Sequence, residues 1–116
     1  MYMEYHRPMT LDLNKLAFVQ TEAYRQEKEI YIKLRQQCVM LIHMASGVRR
    51  TDIYFQLPKF IPGFFPYNIE KIKKQLVASF ESEGFAIIQE ERAIYISWKK
   101  MIEKNLKTIE ENALKY

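Results

Sequence analysis

The chain has 116 residues, of which 48% are hydrophobic and 14% aromatic, and its net charge is +4 from 18 basic and 14 acidic residues. This length suits one domain, and the apolar share excludes a disordered chain. Basic residues form no concentrated stripe, which argues against a dedicated nucleic-acid binder. With one cysteine, Cys38, an intrachain disulfide is excluded, and the most apolar run, residues 38–45, is too short to span a bilayer. We expect a soluble protein of a reducing compartment without a membrane span.

Residues 1–14 carry apolar side chains without a helical or strand period. Two interpretations stay open, a frayed terminus or an extended arm that lies on a partner. In the second, Tyr2 and Tyr5 are candidate partner-binding residues. We divide the chain into this N-terminal arm, an α+β domain over residues 15–98 and a terminal helix over residues 99–116.

A long helix is predicted from Lys15 or Glu22 to Ser46, because apolar residues recur at steps of three, four or seven with polar residues between them. The predicted core stripe consists of Tyr24, Tyr31, Leu34, Cys38, Leu41 and Ala45. Gly47 is the predicted stop, since glycine tolerates the positive φ of a helix end. Cys38 is interpreted as a small core residue rather than a nucleophile.

Residues 53–57 (IYFQL) are rich in β-forming types and predict a strand that Pro58 limits. The next segment, residues 59–66 (KFIPGFFP), contains two prolines and a glycine and predicts a loop. Its aromatic side chains either fill the domain core or form an apolar surface. In the second case Phe64 and Phe65 are candidate partner-binding residues.

A second helix is predicted to begin after Asn68, which can serve as its N-cap, and to end at residues 83–84. Its predicted buried face consists of Ile69, Ile72, Leu76, Val77 and Phe80. Residues 85–89 and 93–98 predict an antiparallel hairpin around a charged turn. Together with the strand at 53–57, they predict a three-stranded antiparallel sheet. The expected fold is α+β, with a long N-terminal helix, a central helix, a C-terminal helix and a winged-helix-like arrangement.

The terminal helix is predicted to carry a narrow apolar seam, which consists of Ile102, Leu106, Ile109 and Ala113. Two heptads are too few to indicate a coiled coil. The helix either packs on its own domain or docks on a neighbouring subunit. In the second case Ile102, Leu106 and Ile109 are candidate partner-binding residues.

No combination of residues indicates catalysis. His6 and His43 lie in different segments, and His43 follows Cys38 by five residues, a spacing that does not place two ligands on one helical face. The three glycines, at positions 47, 63 and 84, form no phosphate-binding loop. We therefore predict no catalytic residues, no metal, no cofactor and no enzymatic activity.

Nucleic-acid binding is the alternative to a structural role. In a winged-helix interpretation the second helix is the recognition element. The candidate nucleic-acid contacts are Arg49, Arg50, Lys71, Lys73 and Lys74. Acidic residues of the same region, Glu70, Glu81 and Glu83, offset much of this charge, so this alternative is not favoured.

Several short motifs, taken in order, resemble a known family. They are residues 55–58 (FQLP), Phe60, Gly63, residues 66–67, residues 84–85 (GF) and residues 96–98 (ISW). With the preceding helix, they resemble a small family of proteins of unknown function from large nucleocytoplasmic DNA viruses. The resemblance implies a viral protein of the host cytoplasm and the virion, a minor capsid component that bridges larger capsid proteins. It implies other viral structural proteins as partners, including the major capsid protein, and leaves a homo-oligomer open.

Overall fold

The computed structural model describes residues 12–114, which form three helices and three strands. The helices are α1 (Leu13–Gly47), α2 (Ile69–Ser82) and α3 (Lys99–Leu114). The strands are β1 (Asp52–Gln56), β2 (Ala86–Gln89) and β3 (Ala93–Ser97). The predicted α+β fold with its long first helix and its terminal helix is confirmed.

The three strands form an antiparallel sheet in the order β1-β3-β2. Ile53 pairs with Ile96, and Phe55 pairs with Ile94. These four side chains are buried on the face that packs against α1 and α2. The alternation of buried and exposed residues along β1 therefore defines one core face and one outer face of the sheet.

Helix α1 begins two residues before the earliest predicted start. Asp12 caps it, because its carboxylate accepts hydrogen bonds from the backbone N–H groups of Asn14 at 3.0 Å and Lys15 at 3.2 Å. Residues 13 and 14 are therefore helical rather than part of an extended arm. The remainder of that predicted arm, residues 1–11, lies outside the described residues.

The end of α1 also differs from the prediction. Gly47 is the last helical residue, but the residue in the left-handed region is Arg49, with φ of 64°. The N–H of Arg50 donates to the carbonyl of Ala45 at 2.9 Å, which is the long bond of a Schellman motif. The helix is thus stopped by a non-glycine residue in a conformation that usually favours glycine.

The residues of α1 that reach the core lie between Ile30 and Ala45. Ile30, Leu34 and Cys38 are buried, whereas Tyr24, a predicted core residue, is 72% exposed, and Leu41 is also exposed. The reason is length: 35 residues make a helix of about 52 Å, while five-residue strands span only about 17 Å. Most of the first half of α1 therefore extends past the sheet.

The loop between β1 and α2 satisfies both interpretations of its aromatic residues. Ile61 is buried and Phe64 packs against the core, whereas Phe60 and Phe65 are exposed. Gly63, with φ of 87°, lies in the turn between the two core-facing residues, where the N–H of Phe64 donates to the carbonyl of Ile61 at 3.1 Å. The loop is both a plug for the core and an apolar surface.

Helix α2 has the predicted cap and the predicted face. The side chain of Asn68 accepts from the N–H of Lys71 at 3.0 Å, and the buried residues are Ile72, Lys73, Leu76, Val77 and Phe80. The ring of Phe80, in the last turn of α2, meets the ring of Phe85, which follows the helix, edge to face at 5.6 Å between centroids. Lys73 is the unexpected member of this face.

Helix α3 leaves the domain after its first turn. Met101 and Ile102 pack against the core, whereas residues 103–114 are all exposed. The prediction that α3 packs on its own domain is therefore correct only for the start of the seam. Within residues 12–114, no helix combines the length and the apolar character needed to cross a membrane.

We expect Leu34→Ala to lower the free energy of unfolding by about 2–5 kcal/mol, because it leaves a cavity where α1 meets the sheet. Urea denaturation followed by circular dichroism measures this change. Leu13→Ala is the matched control, since Leu13 is an exposed leucine of the same helix. Equal losses in the two variants would contradict the described burial of α1.

Candidate protein-binding surfaces

The first half of α1 carries an apolar stripe that continues its buried face. Positions 16, 19, 23, 26 and 30 follow one another at steps of three and four. The side chains of Leu16, Val19 and Ala23 therefore lie on the side of the helix that reaches the core at Ile30. No strand of the described residues covers them, and Val19 is 63% exposed. The same steps are present in the sequence, but the prediction followed Tyr24 instead.

This stripe and the loop enclose a cleft of about 690 Å³, which we call the α1–loop cleft. Phe18, Val19 and Ala23 line it from α1, and Phe64 and Phe65 line it from the loop. Phe65 is 81% exposed, so a large ring stands at the rim. The cleft has the apolar lining and the open shape of a site for another protein's side chains.

Gln26 fixes the two walls of the α1–loop cleft relative to each other. Its amide Nε2 donates to the backbone carbonyl of Phe65 at 3.0 Å, and the N–H of Phe65 donates to its Oε1 at 2.9 Å. A side chain that satisfies both backbone groups of one residue acts as a local strand partner. Phe65 is therefore presented by a held backbone.

The charged residues of the α1–loop cleft are paired with each other. Arg25 forms ion pairs with Glu22 and with Glu29, the second at 3.2 Å. The hydrogen bond to Glu22 raises the pKa of Arg25, and the charges of both glutamates add to this effect. These pairs are solvent-exposed and contribute little stability. Their effect is to leave a rim with one net negative charge around an apolar floor.

The partner-binding residues predicted from the sequence lie in different parts of the structure. Phe64 and Phe65 lie in the α1–loop cleft. Leu106 and Ile109 are exposed on α3, where Ile109 is 62% exposed, while Ile102 is half-buried at the start of the helix. Tyr2 and Tyr5 lie outside the described residues.

A second apolar surface of α1 was missed by the sequence analysis. Met40, Leu41, Met44 and Val48 are all exposed, and we call them the methionine strip. The signal was the spacing of four between positions 40, 44 and 48. Unbranched methionine side chains adapt their shape to different partners and are frequent on protein-binding surfaces.

The five basic candidates do not form one basic face. Lys73 is only 5% exposed. Its ammonium donates to the backbone carbonyls of Glu90 at 2.7 Å and Glu91 at 3.2 Å. It also pairs with Glu70 at 3.0 Å. This arrangement argues against Lys73 as a nucleic-acid contact, because its donors already hold the hairpin turn against α2.

The other four basic candidates are exposed, but two of them have acidic partners. Lys71 pairs with Glu27 at 2.6 Å, and Arg50 pairs with Asp52 at 3.4 Å. Among the described residues, Arg49 and Lys74 are in no ion pair. The exposed positive charge is therefore dispersed.

Two tyrosines cover the outer face of the sheet. Tyr54 donates its hydroxyl to Glu90 at 2.9 Å, and Tyr95 donates to Asp52. The hydrogen bond from Tyr95 lowers the pKa of the Asp52 carboxyl, and the bond to Glu90 raises the pKa of Tyr54. Both shifts stabilise a neutral phenol beside a carboxylate, so this face resembles a fixed polar surface more than a proton-transfer site.

Cys38 has the character of a core residue. It is fully buried, and desolvation raises the pKa of its thiol to about 12. The thiolate needed for nucleophilic attack is therefore disfavoured at neutral pH. In the described part of the chain, no group of three or more His, Cys, Asp and Glu residues is placed to hold a metal ion.

Comparison with known proteins gives one match. A family model described as a family of unknown function, DUF5759, matches residues 11–81, which include α1, β1, the loop and nearly all of α2. Both walls of the α1–loop cleft lie within this range. No curated protein and no solved structure matches the chain.

We expect Lys73→Met to lower the free energy of unfolding by about 1–3 kcal/mol, because it removes the donor to two carbonyls of the hairpin turn. Chemical denaturation measures the loss. The neighbouring Lys74→Met is the control and should change stability by less than about 0.5 kcal/mol, since Lys74 is exposed. A neutral Lys73→Met variant would contradict the structural role assigned to this ammonium.

Proposed function

The chain belongs to the DUF5759 family, and we propose that it is a non-enzymatic structural protein that binds other proteins. In the viral setting that the sequence resemblance implies, it is a minor capsid component of the virion and bridges larger capsid proteins. The observation that carries the proposal is the apolar stripe of α1, which runs past its own core into the α1–loop cleft.

The energetics of the stripe support binding to a protein. Leu16, Val19 and the ring of Phe65 remain in water in the single chain. Burial of such a side chain stabilises a complex by roughly 1.5–3 kcal/mol. Isolated helices of the length of residues 13–29 are marginal in water, so a partner that covers this stripe also stabilises the helix.

The chemistry of the cleft supports a structural role over a catalytic one. Most of its lining is apolar, and the charged groups that line it within residues 12–114, Glu22, Arg25 and Glu29, pair with each other. A catalytic acid or base needs a proton that it can exchange with a substrate, and here the guanidinium and both carboxylates are exposed and held in ion pairs with each other. Shape and apolar area are what this site offers.

Bridging requires a second contact surface at a distance from the first. Helix α3 meets this requirement, because residues 103–114 leave the domain with Leu106 and Ile109 exposed. The competing role, nucleic-acid binding, draws less support from the charges, since Lys73 is buried and Lys71 and Arg50 are paired. A structural protein with two apolar contact surfaces agrees better with these features.

The test is quantitative mass spectrometry of purified virus particles. We expect the wild-type chain at a fixed ratio to the major capsid protein. Particles made with Val19→Asp should contain at least about tenfold less of the chain, because a carboxylate in the α1–loop cleft must be desolvated on binding. Thr21→Asp is the matched control, since it places the same charge on the opposite side of the same exposed helix segment.

The outcomes separate the parts of the proposal. Absence of the wild-type chain from particles would contradict the virion role. Equal incorporation of Val19→Asp and Thr21→Asp, with both variants folded by circular dichroism, would remove the α1–loop cleft from the proposal. A salt-dependent shift of duplex DNA that Arg49→Ala and Lys74→Ala weaken would support nucleic-acid binding instead.

A further inference from the structure

Two apolar helix surfaces of this chain lie near the same end of the molecule. The N–H of Trp98 donates to the carbonyl of Thr51 at 2.9 Å, so the strand that leads into α3 is hydrogen-bonded to the segment that follows α1. The methionine strip covers the last turns of α1, and the seam of α3 begins at Ile102. Both surfaces are therefore available to one partner that approaches from this end.

The methionine strip has a basic border. Between residues 30 and 51 the sequence contains no aspartate or glutamate. Lys33 lies on the same side of α1 as Met40 and Met44, two turns before Met40. At the other end of the strip, Arg49 follows Val48. Neither Lys33 nor Arg49 is in an ion pair among the described residues. A partner for this strip gains from negative charge beside its apolar residues.

The exposed seam of α3 has an acidic border. In heptad terms Leu106, Ile109 and Ala113 form the seam, and Glu103 and Glu110 occupy the same flanking position one heptad apart. The other flank consists of Asn105 and Asn112, Lys104 lies on the side of the helix opposite the seam, and Lys107 lies beside Glu103 and Glu110 but farther from the seam than they are. The seam therefore offers negative charge, which the methionine strip lacks.

Antiparallel pairing of like with like is disfavoured for both surfaces. Two antiparallel α3 helices would place Glu103 of one copy opposite Glu110 of the other, because equivalent flanking positions face each other in that orientation. Two methionine strips would bring their basic borders together in the same way. The seam of α3 against the methionine strip joins apolar to apolar and negative to positive.

One chain does not satisfy this pairing by itself. Residues 103–114 of α3 are exposed along their whole length, and so is the methionine strip. We propose that the partner is a second copy of the chain, in a two-fold dimer in which α3 of each copy packs on the methionine strip of the other. Such a reciprocal exchange is closed and self-complementary, as expected of a homodimer.

This dimer goes beyond the proposed function, because it assigns the exposed seam of α3, the second contact surface named there, to the other copy and leaves the α1–loop cleft open. It also supplies what a bridging protein needs. The cleft lies on the first half of α1 and the methionine strip on its last turns. Two copies joined at their strips would carry two clefts, one on each copy.

The test is a charge exchange followed by analytical ultracentrifugation of the full chain over a range of concentrations. Variant A carries Glu103→Lys and Glu110→Lys, and variant B carries Lys33→Glu and Arg49→Asp. Aspartate is chosen at position 49 because it tolerates the left-handed backbone there. The single variants Glu110→Lys and Glu111→Lys are the matched pair. Both make the same charge change, but Glu110 flanks the seam and Glu111 lies on the side of α3 that faces away from the seam.

We expect the wild-type chain to reach twice its mass of 14.0 kDa with rising concentration. Variants A and B should each dimerise about tenfold or more weakly, because like charges then face each other. An equimolar mixture of A and B should recover the dimer, since both exchanged contacts are again complementary. Glu110→Lys should weaken the dimer and Glu111→Lys should not.

Three results would overturn the proposal. The first is a wild-type chain that stays monomeric at every concentration. The second is a dimer that one of the two variants leaves intact. A dimer unaffected by variant B would indicate pairing of α3 with α3, and one unaffected by variant A would indicate pairing of one methionine strip with another. The third is failure of the mixture to recover the dimer while circular dichroism and thermal melting show both variants folded.

Discussion

The burial of Ile30, Leu34 and Cys38 between the sheet and α2 is the contact on which the rest of the structure depends. It anchors one short stretch of a 35-residue helix to a small domain. Every other part of α1 is placed by this contact, because a straight helix carries the position of its middle to both ends. The exposed surfaces of the protein are consequences of that attachment.

Such an arrangement leaves apolar surface in water at both ends of α1. A small domain can cover only as much helix as its sheet is long, and here the sheet has strands of four or five residues. The first half of α1 is completed in part by the loop, through Gln26 and Phe65. The last turns carry the methionine strip. We interpret both ends as surfaces that other chains cover.

Elements with a strong local pattern were predictable from the sequence. The period-two alternation of β3, the Asn68 cap and the apolar face of α2 have the expected positions in the structure. The limits of the core on α1 were not predictable, since Tyr24 and Leu34 fit the same helical period. What separates them is whether a sheet lies opposite, and that depends on strand length and crossing geometry rather than on local pattern.

The candidate surfaces were predictable to a similar degree. Phe65 and Ile109 are exposed as a partner-binding interpretation requires. Lys73 was misread, because a lysine on a helix is usually solvated, and its carbonyl partners at Glu90 and Glu91 are distant in sequence. The methionine strip was overlooked because its residues look like core residues when the end of the domain is unknown.

The most direct test of this account is amide hydrogen exchange along α1 in the free protein at low concentration. We predict slow exchange for residues 31–46, which depend on opening of the core, and much faster exchange for residues 16–22, which contribute no side chain to the described core. Covering the α1–loop cleft with a bound partner should slow the second group. Equal protection along the whole helix would contradict the claim that only its second half is anchored.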